Sequence, residues 1–363
     1  MIHGTGAVVR RELDQLIARS RIPGIQYVVT DASDVRFEHT AGFADLQAHT
    51  PVSHQTTFMA SSSTKVVTAA AVLQLVERQK LALDKPLSTY YTSHPYTEKV
   101  TIRQLLAQTS GIPNPLPLKW LHRADEHDAF NEERALQETL RHHPRLNSTP
   151  GQKYGYSNIS YWLLGKAIES ASRRRLSDYV KQNVFAPLGV SPSAASFQIE
   201  NPAIHATGYQ KRFSVQGLLL YLLMDRRMLG ETVSGYWAIR PVYMNGPAYG
   251  GLICTAMGFA ALLQDILKPT PQLFSAKTRD LLLAPQSTTA GQDTGMSLGW
   301  RIGRLQNEPY FGKPGGGPGF RSNVRIYPHS GLATAWLANE TGVSEAQING
   351  LSDALDCHWR GKS

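Results

Sequence analysis

The chain has 363 residues, 42% of them apolar, and carries a formal charge of +9. That length suits one large domain or two ordinary ones with a sizeable core. The basic residues are scattered. Their one compact run, Arg173-Arg174-Arg175, reads as a solvated turn, and no zinc-finger spacing, basic zipper or RNP-like aromatic pattern supports a nucleic-acid partner.

The N-terminal stretch MIHGTGAVVRRELDQLIARSRIPG lacks an apolar core of signal-peptide length, so the expected location is cytoplasmic. Val9, Leu13, Leu16 and Ile17 recur at helical spacing and predict an amphipathic helix that Pro23-Gly24 stops. Strands are predicted over Gly24–Thr30 and Val35–Thr40, joined by an Asp/Ser turn. A serine run at 61–63 then leads into an alanine- and leucine-rich helix over Val66–Gln79.

From Leu81 to Met228 the pattern is mainly helical, with helices expected over 102–108, 130–141, 160–170, 177–185 and 215–228. The longest apolar run, Leu218–Met224, is far short of the roughly 20 residues a membrane span needs, and it reads as a core helix or an acyl-pocket wall. A helix over 255–267 follows. Strands return over 298–302, 310–311, 321–327 and 332–337, before a last helix over 344–357. Strands at both ends with helices between predict an α/β (α+β) fold: an antiparallel sheet flanked by helices, built from both chain ends, with an inserted helical region. The expected units are 1–80 with 245–363, and 81–244, with the site at their junction. Two cysteines, Cys254 and Cys357, cannot make a disulfide framework and are read as reduced.

Ser62 is the only serine in the chain that stands three residues before a lysine, Lys65. On a helix that spacing brings ammonium and hydroxyl to one face. Tyr156-Ser157-Asn158 lies just before an apolar helix, and Lys313-Pro314-Gly315-Gly316 just before a strand. S-x-x-K, Y-x-N and K-x-G in this order resemble the serine β-lactamase and penicillin-binding-protein superfamily. The tyrosine in the second motif resembles the class C branch, with its DD-peptidase, D-aminopeptidase and family VIII carboxylesterase relatives. The likeness extends over LLAQTSGIP, PGQKYGYSNISYWLLG, FAPLGV, YGGLICTAMGFAALLQ and GGGPGF, essentially the whole chain.

The chemistry has its own logic. A serine hydroxyl needs a neighbouring base, and carbonyl attack creates an oxyanion that needs fixed donors. Ser62 at a helix start offers its own amide, and the resemblance supplies the Gly316 amide, with Gly315 beside it. Either Tyr156 is the base, its phenolate favoured by the Lys65 and Lys313 ammonium groups, or Lys65 is the neutral base and Tyr156 relays the proton. Asn158 would orient Lys65 and meet the substrate carbonyl.

Pro314 departs from the pattern. The β-lactamases and DD-peptidases that the chain resembles usually carry Thr or Ser there, whose hydroxyl helps bind a substrate carboxylate, so the resemblance implies that an ester or amide without one is the expected substrate. His122 and His127 lack a metal-site pattern and read as loop or lid residues.

The expectation is a serine hydrolase forming a Ser62 acyl-enzyme on a small ester or amide, with no cofactor and no metal. Competing readings are a D-amino-acid peptidase or weak β-lactamase, an acyltransferase, and a catalytically inactive penicillin-binding-like module. Oligomeric state has no sequence signal here.

Overall fold

A computed structural model describes residues 2–19, 22–115, 120–214, 224–342 and 344–359. Nine strands, numbered here in chain order, make one antiparallel sheet: β1 (Gly24–Thr30), β2 (Val35–Asp45), β3 (Thr50–Pro51), β4 (Gln286–Ser287), β5 (Asp293–Met296), β6 (Arg301–Leu305), β7 (Glu308–Gly317), β8 (Phe320–Tyr327) and β9 (Leu332–Ala338). Their order across the sheet is β4-β5-β6-β7-β8-β9-β1-β2-β3. β1 lies between β2 and β9, with Ile25 opposite Ala338 and Thr30 opposite Ala333. The two chain ends are therefore joined at the middle of the sheet.

β1 is buried along its whole length because both sheet faces are covered. Alternation sends Ile25, Tyr27 and Val29 with Trp336 and Ala338 to one face, where they meet Val9 and Leu13 of α1 (Ile2–Ala18) and Ile348 and Leu355 of the C-terminal helix. Val28, Val324, Ala335 and Leu337 enter the core on the other face. That core surrounds α2 (Thr64–Glu77), which is apolar on every side and buried from Thr64 to Leu75. Against it packs α3 (Asn158–Ser172), capped by Ser157, while α4 (Ala256–Leu267), capped by Thr255, lies on β9 and β1. The last helix, α5 (Glu345–Asp356), is capped by Ser344. A buried network fastens it to the sheet: Asp356 accepts from Tyr27, Tyr327 and Thr334, and Arg325 reaches Asp353 at 2.6 Å.

Several local expectations change. β7 runs to Gly317, so Lys313 to Gly317 lie inside a strand rather than before one; β6 ends its pairing at Gly312 and leaves that stretch as an edge. A strand admits proline at such an edge. Of the helix expected over 215–228, residues 215–223 lie outside the described residues; Arg226–Met228 is a single 3-10 turn that leads into a strand, Leu229–Val233. With Gly208–Lys211 and Tyr236–Ile239 that strand forms a small antiparallel sheet that the periodicity did not announce. His122 is not a loop residue. It is buried on the strand Leu121–Arg123, which pairs with Val242–Met244, and it contacts the His127 ring nitrogen at 2.9 Å.

Candidate active site

Ser61–Ser63 form one 3-10 turn that runs directly into α2. Phe58–Met59 pair with Ile253–Cys254, and the Ala60 amide donates to the Leu252 carbonyl at 2.8 Å, which fixes where the turn begins. The three serines differ in environment. Ser63 is buried and donates to the Lys313 carbonyl at 2.7 Å, stitching the turn to β7. Ser61 is buried at a φ of 48°, a strained setting for a residue with a Cβ. Ser62 points its hydroxyl at the other motif residues: Tyr156 Oη at 2.7 Å and Lys65 Nζ at 3.3 Å.

Lys65 is fully buried, 0% exposed. Its remaining partners are Asn158 Oδ1 at 2.8 Å and the Tyr249 carbonyl at 2.6 Å, and the rings of Tyr156, Tyr161 and Tyr249 surround it with centroids 5.1 to 5.6 Å away. No carboxylate makes an ion pair with it among the described residues. Burial, and then the nearby Lys313 charge, hold its pKa well below the ordinary lysine range. In its neutral form the amine would keep two N–H donors for Asn158 and Tyr249 and have a lone pair available to Ser62.

Tyr156 also donates to Asn158 Oδ1 at 3.2 Å. Its phenol is pushed above the ordinary value, because burial outweighs the lowering effect of the Ser62 hydrogen bond. This is the opposite of the depression that a tyrosinate base requires. Lys313, 3% exposed, sits 4.8 Å from the Tyr156 ring centroid, and burial draws its pKa down to about 8.

Asn158 is the first residue of α3, and its amide donates to Asn114 Oδ1 at 3.0 Å. The loop before it is clamped by buried Gln108, which accepts from the Ser157 amide at 2.6 Å and donates to the Ser157 carbonyl at 3.2 Å. Gly315 faces the serine turn so closely that a Cβ would collide with the Ala60 carbonyl and the Ser63 amide. Gly316 is the exposed residue of this edge. The structure thus brings Ser62, Lys65, Tyr156, Asn158 and Lys313 together, with Gly315 and Gly316 alongside. The Tyr249 carbonyl and the Gln108 clamp were missed: both reach the site through backbone contacts, and only the stretches YGGLIC and LLAQTSG hinted at them.

A Ser–Lys–Tyr cluster with its lysine buried, placed where the serine turn enters α2 at the edge of an antiparallel sheet, is an arrangement suited to serine-hydrolase chemistry. The Beta-lactamase family profile matches residues 9–356, and the chain belongs to that family, whose members are serine hydrolases. It is 27% identical over 239 residues to Protein flp of Staphylococcus aureus strain N315, a match covering 62% of the chain. The matched stretch is 46% of that protein, so the chain spans about half the length of this curated relative. Penicillin-binding protein 4* of Bacillus subtilis strain 168 is 25% identical over 331 residues, covering 88% of the chain and 68% of the relative. The fold also matches a D-amino acid amidase of Ochrobactrum anthropi SV3 in complex with D-phenylalanine, with a TM-score of 0.80, 20% identity, and coverage of 98% of this chain and 99% of that one. Among the described residues no helix is long and apolar enough to cross a membrane.

Proposed function

We propose that the chain hydrolyses a small ester or amide through an acyl-enzyme on Ser62, at the junction of 1–80 and 245–363 with segment 81–244. The observation that carries this reading is the Ser62 hydroxyl held 2.7 Å from Tyr156 and 3.3 Å from a buried Lys65. As Ser62 Oγ bonds to the carbonyl carbon, its proton passes to neutral Lys65, directly or through Tyr156, and the carbonyl π electrons move onto oxygen. That oxyanion is taken by the Ser62 and Gly316 amides. Residues two apart on a strand project their backbone groups to the same side, so the absence of an N–H at Pro314 on the open edge favours a Gly316 amide facing that edge. Collapse of the intermediate expels the alcohol or amine, which receives the proton, and water then repeats the sequence to release the acid.

An ester or amide lacking a carboxylate is preferred, because Pro314 offers no hydroxyl to such a group. The resemblance to a D-amino acid amidase supports a D-amino acid amide or peptide as the second reading. Side-by-side turnover of short and long acyl nitrophenyl esters, a chromogenic cephalosporin and D-alanyl peptides tests the ranking. Neutral esters should be fastest; efficient cephalosporin hydrolysis overturns the preference, and no turnover with no covalent labelling overturns the enzyme.

A further inference from the structure

One ion pair at the mouth of the site has no part in this chemistry. Arg301 begins β6 and lies opposite Gly312, the residue before Lys313. Glu345 begins α5, whose first turn packs beneath Gly316, where a Cβ would run into the Gly342 carbonyl and crowd Ile348. Arg301 Nε meets Glu345 Oε1 at 2.7 Å, and Arg301 Nη2 donates to Tyr154 Oη at 3.3 Å. The Arg301 guanidinium also lies 5.4 Å from the Tyr154 ring centroid. Tyr154 is two residues before Tyr156, so the pair is tied both to the tyrosine loop and to the lysine strand. Its side chains remain 41% and 43% exposed, so both charges are open to solvent. Both charges act on Lys313, Glu345 favouring its ammonium and Arg301 opposing it.

Resting on the Ser62 reading above, we propose that the Arg301–Glu345 pair sets the charge selectivity of the site, excluding carboxylate-bearing substrates and admitting neutral ones. Arg301 is a cation placed beside Lys313 to receive a carboxylate, but Glu345 already occupies it, and the Glu345 charge opposes a second anion. Each partner conceals the opposite preference. Glu345→Gln keeps the shape and frees Arg301 for a carboxylate; Arg301→Gln bares Glu345 to an ammonium group.

The test uses nitrophenyl esters whose acyl chains end in methyl, carboxylate or ammonium, and a matched series charged on the alcohol side. In at least one series Glu345→Gln should raise the carboxylate-to-methyl ratio of kcat/KM about tenfold, and Arg301→Gln should raise the ammonium-to-methyl ratio about tenfold. The double variant should return both ratios toward wild type, and salt should shrink every shift. Ratios unmoved in both series, or all substrates falling by one common factor, overturn the proposal. Fluorophosphonate labelling of each protein separates the two levels: labelling intact with unmoved ratios rejects charge selectivity alone, and an unlabelled wild type rejects the hydrolase reading and this inference with it.

Discussion

The Ser62 hydroxyl lies 2.7 Å from the Tyr156 phenol, and Lys65 and Tyr156 both donate to the same atom, Asn158 Oδ1. Groups that share one proton and one acceptor act as a unit. Lys65→Met and Tyr156→Phe should each lower kcat by about two to four orders of magnitude, and the double variant should be little worse than the weaker single. Steady-state kinetics on the three variants checks this; losses that multiply would mean independent roles.

The buried Lys313 should cost the fold stability. Its pKa falls from an ordinary 10.5 to about 8 on folding, so between those values the unfolded chain binds more protons and stability rises with pH. Below pH 8 the full penalty applies, roughly 3 kcal/mol at most. Lys313→Met keeps the apolar stem and removes the charge. It should be more stable than wild type at pH 7 in urea melts, with the gap closing from pH 8 to 10.5, while losing activity.

Pro314 gives a separate handle on substrate choice. It stands opposite Asn323 on the edge of β7, where a threonine meets no ladder constraint on its open side. A hydrogen bond to a charged group contributes roughly 1.5 to 3 kcal/mol, so Pro314→Thr should move the cephalosporin-to-ester ratio of kcat/KM by about one to two decades. An unchanged ratio in a well-folded variant would assign selectivity to other parts of the site.

What the sequence made legible follows from the range of the interactions. The sheet built from both ends could be anticipated because Gly24–Thr30 and Leu332–Leu337 carry their apolar pattern locally, and the motif residues announce themselves by spacing. Strand bounds were less clear: the glycine-rich half of β7 looks like a turn because its extended shape is imposed by pairing with β8. The short strands around Tyr236 lack a strong period because they are half-exposed. Arg301–Glu345 had no local signal, since a register between β6 and β7 and the start of α5 bring together residues 44 positions apart. Nor could sequence show the burial that lowers the lysine and raises the tyrosine, which bears on whether Lys65 or Tyr156 is the base.

Mapping the covalent adduct on intact protein tests the central claim most directly. After reaction with a fluorophosphonate, peptide mass spectrometry should find one adduct, on Ser62, and Ser62→Ala should neither label nor turn over. Buried Ser61 and Ser63 should stay unmodified. An adduct on either of them, or undiminished turnover in Ser62→Ala, would contradict the account.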